Sequence, residues 1–148
     1  QRNKVKYIAP FVHLIHGVDS ERLLNEINKQ GRKNNRKIDC LLQFHIAEES
    51  TKFGFNIEEI QEIIDANKIS EWQNINIRGV MGMATFTNDI SQIKKEFKQL
   101  KANYDLLYEQ LSKSNFNVLS MGMSGDYNTA IECGSNMIRI GSSIFGSR

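Results

Sequence analysis

Short apolar runs alternate with longer stretches of helical period along the whole chain. "FVHLIHGVD" (11–19) is short and apolar, and Ser20 after it is placed to cap a helix over "ERLLNEINKQ" that stops at Gly31. "IDCLLQFHIA" (38–47) is nearly continuous in apolar residues, as a strand covered on both faces should be. Residues 57–68 predict a helix with Ile57, Ile60, Ile63 and Ile64 on one stripe, and "INIRGVMGMATF" (75–86) a third strand. The clearest helix runs from 90 to 111, where Ile90, Ile93, Phe97, Leu100, Tyr104, Leu107 and Leu111 recur in steps of three and four, with Asn88 or Asp89 as its cap. "FNVLSMGM" (116–123) reads as a fourth strand, "DYNTAIECG" (126–134) as a short helix ended by Gly134, and "MIRIGSS" (137–143) as a fifth strand.

Strict βα alternation implies a parallel sheet with right-handed crossovers, either open and doubly wound or closed as a (β/α)8 barrel. No GxGxxG follows a strand, which weakens the open-sheet route. In a barrel the chemistry gathers at the C-terminal ends of the strands, and phosphate is commonly bound by the loops after the last two. "MGMSGD" and "RIGSS" fall there. Ser124, Gly125 and Asp126 join a strand to a helix start, and Gly141, Ser142 and Ser143 repeat the arrangement one strand later. Unpaired amides and small hydroxyls at two neighbouring strand ends suit a phosphate, although such residues also serve as plain helix caps. By alternation Arg139 points into the barrel, with Ile138 and Ile140 toward the helices. A guanidinium there needs either an internal carboxylate or a ligand.

Composition narrows the classes. With 148 residues, 40% hydrophobic and 24% charged, the chain has the length and make-up of one globular domain, residues 1–148. A net charge of +2 with dispersed basic residues gives no case for nucleic acid, and "GRKNNRK" (31–37) reads as a solvated helix end. No apolar run reaches the ~20 residues of a membrane span, and no signal-peptide core is present, so a cytoplasmic location is expected. Cys40 and Cys133 lack metal-type spacing and read as buried free thiols. His16 and His45 read as satisfied interior histidines on strands, and Asp126 as part of a helix start rather than a base. No Ser-His-Asp set, carboxylate pair or metal-ligand spacing stands out.

"VHLIHGVDSERLLNEIN", "LLQFHIAEESTKFGF", "IRGVMGMATF" and "LSMGMSGDYNTAIECGSNMIRIGSSIFGSR" together resemble the pyridoxal phosphate homeostasis protein family, whose barrels are similar to the N-terminal domain of alanine racemase. The resemblance runs from Gln1 to Arg148 and implies bound pyridoxal 5'-phosphate (PLP). Ser124, Gly141 and Ser142 match the family's phosphate contacts, Arg139 matches the arginine facing the pyridine nitrogen, and Met121 and Met123 lie near the cofactor or in the core beside it. The family holds PLP as a Schiff base to a lysine ending the first barrel strand. Here "QRNKVK" matches the stretch after the third strand, so the first three units, about 80–90 residues at roughly 30 per βα unit, are expected to be missing, and the lysine with them. Neither Lys4 nor Lys52 takes its place; Lys52 reads as a solvated residue or an accessory anion contact.

An arginine at the pyridine nitrogen keeps its own proton, since a guanidinium titrates far above neutral pH, and leaves the ring a poorer electron sink. That argues against aminotransferase chemistry, where an Asp partner is expected. It remains compatible with a racemase, but a racemase of this kind adds a second domain with a tyrosine base, for which "FGSR" leaves no residues. The resemblance therefore favours a PLP carrier or buffer, monomeric when complete, with PLP-dependent apoenzymes as recipients. A PLP-dependent racemase-like enzyme and a barrel binding another phosphorylated ligand remain as alternatives.

Overall fold

A computed structural model describes residues 1–49, 53–111 and 115–146. Five strands, β1 (Leu14–Val18), β2 (Ile38–Phe44), β3 (Ile75–Gly82), β4 (Val118–Met123) and β5 (Met137–Arg139), form one sheet in the order β1-β2-β3-β4-β5. Every neighbouring pair is parallel. A doubly wound sheet reverses its strand order at a switch point. This one never does, and it curls into an arc of a barrel.

The helices are α1 (Val5–Ile8), α2 (Glu21–Lys33), α3 (Ile57–Asp65), α4 (Ile90–Gln110), α5 (Tyr127–Glu132) and α6 (Ser142–Phe145). The apolar faces of α1 to α5 supply the core against the outer wall of the arc, whereas α6 buries no residue. On β2 that wall is Cys40, Leu42 and Phe44, which join the core with Leu24 and Ile27 of α2, Ile60 of α3, and Phe97 and Leu100 of α4. The alternate residues Asp39, Leu41 and Gln43 therefore face inward.

Several boundaries differ from the sequence pattern for physical reasons. Helix α2 runs through Gly31 to Lys33, because Gly31 is a packing contact rather than a stop: a Cβ there would lie 2.7 Å from the Asn74 carbonyl oxygen. "GRKNNRK" is only partly solvated. Asn34 Nδ2 does bond the Gln30 carbonyl oxygen, but Arg36 donates to the carbonyls of Ala9 (2.7 Å) and Val12 (2.8 Å). Those two bonds tie the N-terminal turn and α1, which the apolar pattern does not signal, to the start of β2.

Helix α3 ends at Asp65, three residues short of the pattern, and begins with a reciprocal cap between Asn56 and Glu59. Asp89 caps α4, accepting from Ser91 N and Gln92 N, while Ile90 is 64% exposed and lies off the buried stripe. Strand β5 is the largest departure. It stops at Arg139, and Gly141–Ser143 opens α6 instead of extending the strand.

Three of the four strand pairs carry a one-residue irregularity. Ile15 and Val18 of β1 pair Cys40 and Leu42, so His16 and Gly17 together oppose Leu41 on the inner side. On β3, Arg78 is the extra residue between Ile77 and Gly79; on β4, two residues lie between Ser120 and Met123 where β5 has one between Met137 and Arg139. Gly79 holds φ +153°, and a Cβ there would fall 1.8 Å from the Val118 carbonyl oxygen. Gly79→Ala is therefore expected to cost roughly 3 kcal/mol or more by combining backbone strain with loss of β3–β4 pairing, read as a fall in the urea midpoint. An unchanged midpoint would show that the bulge relaxes freely.

Candidate functional site

The inner wall divides into two polar levels. Toward the N-terminal ends of the strands, Asp39 accepts from Arg78 Nη1 (2.8 Å) and Asn76 Nδ2 (2.9 Å), and Arg78 Nε also donates to the Asn115 carbonyl (2.9 Å). Charge and hydrogen bonds balance there within the protein. Toward the C-terminal ends the balance is different.

Arg139 lies on the inner wall, as alternation predicts, and half-buried. Its Nη1 donates to Ser120 Oγ at 2.6 Å and its Nη2 to the Gly82 carbonyl at 3.0 Å. Ser120 is fully buried, so the guanidinium links β5 to β4 and β3 through acceptors that water does not reach freely. Among the described residues no carboxylate forms a salt bridge with it. Burial lowers its pKa, with the negative charge of Asp126 pulling the other way. The guanidinium has five N–H donors, and the two contacts above leave the others to be met. Of the two sequence alternatives, an internal ion pair is not what the described residues form.

Met123 is the register partner of Arg139, so the two side chains stand side by side at the strand ends. It is 38% exposed, whereas Met121 is fully buried in the core. The two methionines thus separate, Met121 into the outer wall and Met123 to the mouth. Just above them, Ser124 Oγ accepts from Gly141 N (3.2 Å) and Ser143 N (3.3 Å). Two backbone amides from the start of α6 therefore converge on one point beside the β4–α5 turn. Asp126 steadies that turn by accepting from Met123 N at 2.6 Å and makes no side-chain cap on α5, so its role is to shape the turn. A Cβ built on Gly125 or on Gly141 meets nothing within 4 Å, so space lies open over both glycines. Ser142 is exposed in the first turn of α6.

The loops around this mouth are pinned together. Buried Glu96 of α4 accepts from Thr85 N and Thr85 Oγ1, both at 2.7 Å, and Thr85 Oγ1 in turn accepts from Glu48 N at 3.0 Å. Ser143 belongs to the donor cluster that the sequence marks, whereas Ser120, Thr85 and Glu96 are contributors that no motif marks. Ser120 was findable, since it alternates with Leu119 and Met121 on β4.

The histidines depart from their expectation. His45 lies beyond β2, exposed, with its Nε2 3.0 Å from the Glu49 carbonyl. His16 is on the inner wall but not satisfied, because its buried Nδ1 has no hydrogen-bond partner. Cys40 is buried, and its thiol is pushed up to about 12 by burial and then by Asp39; Cys133 is only partly buried. Lys4 sits in the exposed N-terminal turn, and Lys52 lies outside the described residues.

The alanine racemase N-terminal domain profile matches residues 2–148. The chain belongs to that family. Within it, the chain is 30% identical over 148 residues to the pyridoxal phosphate homeostasis protein of Pasteurella multocida and 35% identical over 152 residues to that of Aquifex aeolicus. All of the chain is covered in both matches, but it spans only 63% and 64% of those relatives' lengths. Among solved structures, PipY of Synechococcus elongatus with PLP bound superimposes with a TM-score of 0.85 at 26% identity, over 99% of this chain and 66% of that one. Alanine racemase of Clostridium difficile shares the fold at a TM-score of 0.67 and 18% identity, over 100% of this chain and 37% of that one.

For this family member the electrostatics of the inner wall give a direct test. Burial lowers the His16 pKa below 6.5, and the charge of Arg139 lowers it further. An unfolded His16 binds its proton near 6.5, before the folded one does, so its share of stability is lost as pH falls through that value. The NMR titration midpoint of His16 should lie below 6.5 and rise in Arg139→Gln without fully recovering, since burial remains. A midpoint unmoved by that substitution would separate the two side chains.

Proposed function

We propose that this chain carries the phosphate-binding and ring-facing part of a PLP-binding barrel that serves intracellular PLP homeostasis as a carrier of the cofactor. The observation that carries this reading is the convergence of the Gly141 and Ser143 amides at Ser124, directly above an Arg139 with which no described carboxylate forms a salt bridge. A dianionic phosphate suits amides at a helix start, and the open space over Gly125 and Gly141 leaves room for it. In this reading Ser124, Gly141 and Ser142 hold the phosphate, Arg139 faces the pyridine nitrogen, and Met123 borders the ring. The names and the PLP-bound relative described above support the same ligand.

When bound, PLP supplies an aldehyde that condenses with amines, and its ring is a stronger electron sink when protonated. The chain's own groups act on binding and protonation. The amides neutralise phosphate charge, and Arg139 presents a proton that it does not give up. An arginine rather than a carboxylate at that point argues against aminotransferase-type chemistry, and a racemase-like enzyme stands as the alternative to the carrier. PLP-dependent apoenzymes as recipients, a monomeric state and a cytoplasmic location belong to the same proposal; among the described residues no helix is long and apolar enough to cross a membrane.

We also infer that three further βα units complete the barrel ahead of β1, bringing the lysine that anchors the cofactor. Support comes from the arc itself. β1 and β5 each pair on one side only among the described residues, and Ile138, beside the β5 edge, is 37% exposed. Open parallel edges aggregate. Residues 1–148 expressed alone should therefore be poorly soluble or molten, whereas a chain extended at its N-terminus should unfold cooperatively. A sharp, monomeric transition for the shorter chain would count against this inference.

The cradle has its own test in the extended protein. Gly141 has φ −127°, and a side chain there meets open space, so Gly141→Val should fold normally yet weaken PLP at least tenfold by occupying the room the phosphate needs. Ser142→Ala should cost about 1.5–3 kcal/mol of binding by removing a hydroxyl donor to a dianion. PLP affinity measured by fluorescence and left intact in Gly141→Val would move the phosphate elsewhere.

A further inference from the structure

We propose that His16 is a binding residue of the same site, meeting the ring end of a phosphorylated heteroaromatic ligand from the strand at the other end of the arc from Arg139. The inference rests on the PLP-binding reading and adds a residue to it. Its first support is position. The extra residue in β1 sets His16 and Gly17 opposite Leu41, on the inner wall rather than among the helices. Alternate strands of a barrel send their inward side chains to common layers, so β1, β3 and β5 address one level. The Gly82 carbonyl of β3 already meets Arg139 of β5 there, and Arg139 lies near enough for its charge to act on His16.

The second support is an unmet valence. The neighbouring polar groups of the inner wall are engaged: Asp39 by Arg78 and Asn76, Ser120 by Arg139, and Gln43 Nε2 by the Phe53 carbonyl at 2.7 Å. His16 Nδ1 is buried and has no partner. Buried polar atoms are seldom left so, and those that are commonly mark a ligand or an ordered water.

The third support is charge. With Arg139 on the same level, partly offset by Asp126, the imidazole is neutral and offers one N–H and one lone pair. Such a group suits an uncharged or weakly acidic substituent on an aromatic ring and does little for a phosphate. The phosphate end is served at the far side by the amides of Gly141 and Ser143. His16 is therefore assigned to the ring and not to the phosphate.

The experiment uses the full-length protein with three probes: PLP, pyridoxal (the ring without phosphate) and glycerol phosphate (phosphate without the ring). His16→Leu should weaken PLP and pyridoxal about five- to tenfold, the worth of one neutral hydrogen bond, and leave glycerol phosphate unchanged. His16→Asn, which keeps a neutral donor and acceptor, should recover part of the loss. In wild type labelled with ¹⁵N-histidine, the His16 ring nitrogens should shift on adding PLP or pyridoxal but not glycerol phosphate. Should His16→Leu fail to fold by circular dichroism, the ¹⁵N shifts decide alone. Unmoved His16 nitrogens with PLP bound would overturn this assignment and leave the cofactor reading standing, as would equal PLP affinity in a folded His16→Leu. Failure of the wild type to bind PLP at all would remove both.

Discussion

A guanidinium inside a sheet must be surrounded by acceptors, and that requirement organises the upper half of this arc. Burying an unpaired cation is prohibitively costly, while each hydrogen bond to it is worth about 1.5–3 kcal/mol. Arg139 meets the requirement with a serine on β4 and a main-chain carbonyl at the end of β3. The three strands must therefore end at matching heights. Ser120 must sit between two core residues, and β5 has to stop where its arginine reaches across. The break after Arg139 then turns the next amides toward Ser124 instead of into a ladder. The cradle above is a consequence of the cation below.

The irregularities on β1, β3 and β4 serve the same geometry. A bulge bends its strand and re-aims its side chains. On β3 the extra residue is Arg78, which closes the lower level with Asp39; on β1 it brings His16 onto the inner wall; on β4 it sets Met123 beside Arg139. The lower level is electrically complete. The upper level keeps an Arg139 that no described carboxylate salt-bridges, with open space over Gly125 and Gly141. On the proposed reading, an anion entering from the C-terminal ends meets the Gly141 and Ser143 amides first and the Asp39–Arg78 pair lies deeper.

Helical period was legible because it persists over many residues: α4 shows its stripe across five turns, and only Ile90 strays, at the capped end where the helix is not yet covered. Strand ends were less legible, since an apolar run does not mark where pairing stops; "MIRIGSS" reads through a break imposed by contacts from other strands. Gly31 shows the same limit, as a stop signal in sequence and a close approach to Asn74 in space. The site was readable at Arg139, Gly141 and Ser124, where residue type and strand position coincide. It was unreadable at His16, whose orientation depends on an inserted residue, and at Gly82, which contributes only its carbonyl. Arg36 looked like one more surface charge because its acceptors are 24 and 27 residues earlier and belong to the main chain.

The hydroxyl of Ser124 already occupies the point where the Gly141 and Ser143 amides converge. On the proposed reading, an arriving phosphate takes over those amides while the Ser124 hydroxyl turns to donate to it, and on departure the serine takes the amides back. Neither direction then leaves the two amides without an acceptor. A catalyst that keeps its cofactor for life gains nothing from such a stand-in. A molecule that must load, hold and hand over its cargo on a useful timescale does.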